Sequence, residues 1–336
     1  MIRKKKIFWV VVLVIVVFFW MLSLDFSGDK EITYGVSFSK FHADELKLDW
    51  KQTYLAILND LGVRNFRFSA HWPLTEPKDD QFNFFEMDYQ MNQARAKNAS
   101  VILAVGRRLP GWPECHEPDW ASVLDREEKQ DEILEYIEKV VERYKSYPNM
   151  LYWQVENEPF LTFFSRSTCG ELDDDFLKEE IALVKHLDPS RPVLVTDSGE
   201  FGNWFQAYRR GDVFGTSLYL YIWNHNFGPL RYPVSPAFFR LKHNFVRMFL
   251  ENKPAMIIEL SNEPWLLQPI IETPLDVQLE RMGIDKFNEM IEFSSKTGFD
   301  TFYLWGAEWW YWLKQKNHPE HWERARELFT TGSEDG

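Results

Sequence analysis

The stretch "MLYWQVENEPF", residues 150–160, runs an apolar segment into a polar, acidic turn closed by a proline. Leu151, Tyr152, Trp153 and Val155 suit a pleated, buried strand. Pro159 cannot donate to a ladder, so the strand ends at the Asn157-Glu158-Pro159 tripeptide. An acid delivered at the C-terminal end of a strand is the pattern of an α/β barrel, whose sites are built at that end. The tripeptide recurs as Asn262-Glu263-Pro264 in "PAMIIELSNEPW", residues 254–265. There, however, Glu259 already closes the apolar run before the second copy begins.

Seven further runs of the same kind carry the pattern along the chain. They are 32–39, 64–70, 100–106, 192–198, 214–220, 254–260 and 300–306, which with 150–156 make eight. Helical stretches alternate with them. "DWKQTYLAILNDLG" places Tyr54, Ile57, Leu58 and Leu61 on one face. "REEKQDEILEYIEKVVERYKSYP" starts acidic and stops before Pro148, and "LERMGIDKFNEMIEFSSKTG" precedes the eighth run. Eight strands alternating with helices predict a single (β/α)₈ (TIM) barrel of about 300 residues. The interval between the fifth and sixth runs is short for a full helix.

The N-terminus reads differently. Residues 7–24 are apolar except for Ser23 and follow Arg3, Lys4, Lys5 and Lys6. About 18 such residues reach the lower range for crossing a bilayer, and no small-residue cleavage pattern follows. The expected organisation is a cytoplasmic basic flank at 1–6, one transmembrane signal anchor at 7–24 and a short linker at 25–31. A catalytic domain at 32–330 and a tail at 331–336 complete it. The domain is then outside the cytoplasm on the cell membrane, or secreted if the segment is cleaved.

The net charge of −13 becomes four units more negative without the basic flank, a surface that repels phosphate backbones and excludes nucleic acid as partner. The chain holds 15 Trp, and where these gather at strand ends they suit sugar platforms. Its two cysteines, Cys115 and Cys169, lie in long loops after the third and fourth strands, which are barrel neighbours. In an exported protein they are expected to form a disulfide, the alternative being two separate thiols.

At the strand ends stand Arg67, His71 and Trp72; Asn157 and Glu158; Tyr219; Glu259; and Trp305 and Glu308. Two carboxyls facing one pocket from opposite sides of a barrel are what glycoside hydrolysis requires. The Asn-Glu-Pro ending strand 4, the Glu of "MIIEL" ending strand 7 and "FRFSAHWPLTEPKDDQFNFFEMD" around strand 2 together resemble the clan of retaining (β/α)₈ glycoside hydrolases. Cellulases, β-mannanases and β-galactosidases belong to it, and the resemblance spans residues 32–310. It implies Glu158 as general acid/base and Glu259 as nucleophile. It further implies Asn157 on the sugar 2-hydroxyl, Arg67 beside Glu259, Tyr219 donating to Glu259, and Trp305 as the floor under the ring. His71 and Trp72 are expected to line the site. Trp112, Trp120, Glu263, Trp265 and Glu308 are expected around its rim. Arg67, Tyr219 and Trp305 also admit a structural reading, as an internal ion pair and layer-filling aromatics.

No metal-ligand spacing occurs, and neither metal nor cofactor is expected. The expected activity is hydrolysis of β-glycosidic bonds in an extracellular poly- or oligosaccharide. Transglycosylation with the same residues, or a barrel that binds glycan without cutting it, are the alternatives.

Overall fold

The computed structural model describes residues 2–331 apart from Asp29, Leu172 and His225. The side chains of residues 2–5, Phe8, Phe18, 162–164 and Thr331 are also outside the described set, as are residues 332–336 of the expected tail. All eight expected runs are strands: β1 (Thr33–Ser37), β2 (Asn65–Ser69), β3 (Ser100–Val105), β4 (Met150–Val155), β5 (Val193–Asp197), β6 (Val213–Leu218), β7 (Ala255–Ser261) and β8 (Thr301–Trp305). They close into a parallel barrel in sequence order, with β8 paired to β1.

Local chemistry explains the helices around it. Asp49 caps the helix Trp50–Asn59 by accepting from the amides of Lys51 and Gln52, and Tyr54, Ile57 and Leu58 turn inward. The helix Arg126–Tyr144 opens with a reciprocal capping box between Asp125 and Glu128 and buries Ile133, Ile137, Val140 and Val141. One expectation is modified and one holds. The stretch before β8 is two helices, Leu275–Arg281 and Ile284–Ser295, because Gly283 adopts extended backbone and starts the second. Between β5 and β6 there is room for only one short helix, Phe205–Arg210. An antiparallel hairpin of Tyr221–Asn224 with Gly228–Arg231, unforeseen from the periodicity, follows β6.

The lower barrel is filled by Ile102, Leu194, Met256, Ile258 and Tyr303. A Cβ on Gly35 would lie 2.7 Å from the Tyr303 ring and 2.8 Å from the Asn65 carbonyl oxygen, so only glycine admits that ring. Above this layer the inward residues become polar, with Arg67 and Gln154 buried in the barrel. That change marks the end at which the site lies.

Residues Ile2–Leu22 form one helix, which meets the helix Pro236–Arg247. Among the described residues no helix is long and apolar enough to cross a membrane, so the expected transmembrane segment at 7–24 is not carried by the structure. The helix takes in the basic run and stops at Leu22, where Ser23 turns back onto the Trp20 carbonyl. Its apolar part, from Ile7, spans about 24 Å, against roughly 30 Å of hydrocarbon. The expectation also falls partly on Phe8 and Phe18, outside the described side chains.

Gly35→Ala is expected to destabilise the barrel by about 1–3 kcal/mol, since the Asn65 backbone cannot move aside cheaply. Chemical denaturation with fluorescence of the buried tryptophans would measure it.

Candidate active site

Strand β2 turns Arg67 inward, almost fully buried, and its guanidinium organises three strands. Nε donates to Gln154 Oε1 (2.8 Å), Nη1 to Glu259 Oε2 (2.8 Å) and Nη2 to Asn157 Oδ1 (2.7 Å). The other oxygen of Glu259 accepts from the Tyr219 hydroxyl, just past β6. Tyr219 rather than Tyr221 meets Glu259; Tyr221 turns outward to Glu289. Burial, then the neighbouring Glu259 charge, hold the Tyr219 phenol well above its usual range, so it stays a donor.

The turn after β4 is strained. Glu156 and Glu158 both have positive φ, 58° and 44°, which non-glycine residues rarely adopt. It is held in place by the Glu158 amide donating to Thr196 Oγ1 (2.8 Å) and the Asn157 amide to the Arg108 carbonyl (2.7 Å). Burial, then the nearby Glu259 charge, push the Glu158 carboxyl well above the usual carboxylate range. Ser217 lies beside this carboxyl, and Glu158 Oε1 is buried without a hydrogen-bond partner among the described residues. The third acid of this turn, Glu156, faces away from this pair. It accepts from the amides of Arg107 and Arg108 (both 2.7 Å) and shares a hydrogen bond with buried Glu180, pinning the loop after β3.

The second Asn-Glu-Pro has a different task. Glu263 accepts from Trp305 Nε1 (2.6 Å) through one oxygen and meets His42 Nε2 (2.7 Å) with the other. The His42 ring lies against Trp305, centroids 5.8 Å apart and 27° between planes. Burial opposes the charge on His42, but Glu263 and Glu45 hold its pKa well above the usual imidazole value. Glu263 thus orients Trp305. Trp305 itself is only 8% exposed, with Gly111 facing its edge.

Other expectations need correction. Trp72 is fully buried and donates from Nε1 to Glu76 (2.7 Å); Trp120 donates to the Glu76 carbonyl (3.1 Å) and packs edge-on against Trp72. Both are packing residues behind the site, because their polar edges are already used. Glu308 is also buried, accepting from the Ser39 amide (2.6 Å), and burial pushes its carboxyl up to about 7; it ties β1 to the helix after β8. His71 is buried beside His116 and Phe41, its ring nitrogens without a hydrogen-bond partner among the described residues, and burial holds its pKa well below the usual imidazole value. Trp112 is 61% exposed on the loop after β3, and Trp265 packs edge-on against Tyr219. The Cys115–Cys169 disulfide joins that loop to the helix Thr162–Cys169. Among the described residues the one carboxylate cluster spaced for a metal, Glu76, Asp79 and Glu132, belongs to the outer face near Trp72.

One pocket residue gave no signal in the sequence. Glu114, in the loop "RRLPGWPECHEPDW", is partly buried, with its carboxyl 3.5 Å from Arg108 Nε and beside the Asn157 side chain. Nothing in a proline-rich loop distinguishes such an acid from a solvated one. Only the fold of the loop reveals it.

Comparison with known proteins agrees with this architecture. The model of "Glycosyl hydrolase family 10" matches residues 32–183. A curated relative, the β-galactosidase BgaA of Clostridium cellulovorans, is 23% identical over 188 residues, 50% of this chain and 28% of that protein. The structure of a β-galactosidase from the Antarctic haloarchaeon Halorubrum lacusprofundi aligns with a TM-score of 0.55 at 15% identity, covering 82% of this chain and 52% of that one. An endo-β-1,4-xylanase of glycoside hydrolase family 10 from Gloeophyllum trabeum aligns with a TM-score of 0.53 at 14% identity, covering 83% and 85%. The chain therefore spans little more than a quarter of the curated relative and about half of the haloarchaeal enzyme. Barrel and family match agree in their likeness to the clan of (β/α)₈ glycoside hydrolases.

Proposed function

We propose that this chain cleaves β-glycosidic bonds by double displacement, with Glu259 as nucleophile and Glu158 as acid/base. The observation that carries this reading is the unlike setting of two neighbouring carboxyls. Glu259 accepts from a guanidinium and a phenol, as a carboxylate nucleophile needs. Glu158 is pushed toward its protonated form in the same pocket. A Glu259 oxygen attacks the anomeric carbon while the Glu158 proton passes to the departing glycosidic oxygen, leaving a glycosyl ester. Glu158, now a carboxylate, takes a proton from water as that oxygen attacks the anomeric carbon, and Glu259 leaves as carboxylate. Asn157 and Trp305 would hold the sugar between them, and His71 and Trp112 would extend the contact surface.

The substrate class follows from the same reading: a neutral β-linked oligo- or polysaccharide, entering past exposed Trp112. An oxidising compartment is supported by the Cys115–Cys169 disulfide. Membrane attachment through the first helix is supported by its exposed apolar side chains, among them Trp9, Leu13, Phe19 and Trp20. Carbonate-resistant pelleting of the full chain with vesicles should follow, and a chain recovered wholly in the supernatant would sink the attachment.

Glu158→Gln should lower kcat on unactivated glycosides by about 10²–10⁴-fold, and Glu259→Gln at least as much. Steady-state kinetics across gluco-, galacto-, manno- and xylo-configured β-glycosides would test both; full activity in either variant ends the assignment. Because Glu158 must carry its proton in the first step, kcat/KM should fall as pH rises through its raised pKa, well to the alkaline side of an ordinary glutamate. Glu263→Ala should raise KM about tenfold with a smaller change in kcat, since it removes the anchor of Trp305 but no reacting group. Glu263→Gln, which still accepts from the indole, should restore most of the KM.

A further inference from the structure

Double displacement needs two carboxyls, and this pocket holds three. Glu114 is fastened there by its backbone: its amide donates to the Gly111 carbonyl (2.8 Å) and its carbonyl accepts from the Leu109 amide (2.8 Å). It adopts a positive φ of 75°, and the next residue, Cys115, is tied by the disulfide. The carboxyl therefore has a set position. It lies between Arg108 and the Asn157 side chain, within electrostatic reach of Glu158, Glu259 and Tyr219.

Its hydrogen bonding is incomplete. Glu114 Oε2 and Arg108 Nε and Nη2 are buried with no hydrogen-bond partner among the described residues; their 3.5 Å separation is an ion pair too long for a good hydrogen bond. Asn157 is half-spent in a telling way. Its Oδ1 already accepts from Arg67 and Thr196, so toward the pocket only its amide nitrogen is left, as a donor, on the side where Glu114 lies. A sugar hydroxyl that accepts from Asn157 still has a proton to place, and a buried hydroxyl proton without an acceptor is costly. The acceptor beside Asn157 is Glu114.

We propose that Glu114 is a substrate-binding, specificity-determining residue that accepts a hydrogen bond from the same sugar hydroxyl to which Asn157 donates. The pocket then selects sugars with a free hydroxyl beside the anomeric carbon and disfavours those lacking a donor there. This rests on the glycosidase reading above. It has a second consequence through charge. The groups facing Glu158 include Glu259 on β7, Ser217 on β6, Tyr219 just past it, and Glu114 and Arg108 on the loop after β3. Of these, Glu114 adds negative charge beyond what the double displacement requires. Burial pushes it up to about 7, against the pull of Arg108, so its anion grows in over the pH range where Glu158 must keep its proton.

The test compares the fastest-cleaved aryl β-glycoside of the panel with its 2-deoxy counterpart. Glu114→Ala should lower kcat/KM on the parent by about 10–100-fold, the usual worth of a hydrogen bond to a charged group, yet by less than about threefold on the 2-deoxy glycoside. Equal losses on the two substrates, or none on the parent, overturn the proposal. Glu114→Gln, which keeps the shape of the side chain, guards against a folding artefact. It removes a negative charge beside Glu158, so the alkaline limb of kcat/KM should move to lower pH, and an unmoved limb counts against the proposal. Failure of the underlying reading looks different: the wild type would cleave none of the panel, or Glu158→Gln and Glu259→Gln would keep full turnover.

Discussion

The Arg67 guanidinium is the interaction on which the rest of the site hangs. Buried in the barrel, a guanidinium must be surrounded by acceptors or cost several kcal/mol in desolvation. It finds them on β4 and β7, in Gln154, Asn157 and Glu259. The planar fork sets these three relative to one another. Barrel closure and the orientation of the site are thereby the same event, because the guanidinium lies at the level where the apolar layer gives way to polar side chains.

The two Asn-Glu-Pro copies show how one short motif takes two roles. In the first, Glu158 is turned into the pocket by a strained backbone, with one carboxyl oxygen unpartnered. In the second, both oxygens of Glu263 are used, one by an indole and one by an imidazole. Glu263 is thus spent on positioning Trp305 and His42, whereas the free oxygen and raised pKa of Glu158 suit proton transfer. The difference lies in register: the second copy begins after β7 has already presented Glu259.

Two further carboxyls near strand ends are committed to the fold. Glu156 is held by two backbone amides and by Glu180, and Glu308 by the Ser39 amide; both are structural despite their place at strand ends. Trp72 and Trp120 show the aromatic version, since their indole N–H groups are committed to Glu76 and they face the core. Reading strand ends from sequence locates such residues at the right height in the barrel. It does not tell which way each side chain turns, and a shift by one residue reverses the face.

The eight strands, the two main helices and the pairing of Glu158 with Glu259 were legible because each rests on local chemistry: apolar periodicity, caps, prolines, and an acid closing a buried run. The break at Gly283, the hairpin after β6 and the limited apolar length of the first helix were not, since tertiary contacts and chain direction decide them. The sequence by itself determined that a closed parallel barrel would bring carboxyls from β4 and β7 to one mouth, since strand order and strand ends are written in local pattern. Only the tertiary structure decided that Glu114 enters that mouth, that Glu263 braces Trp305 and that Trp72 does not take part. Those outcomes depend on which hydrogen-bond partners meet across distant segments, and no local pattern encodes that.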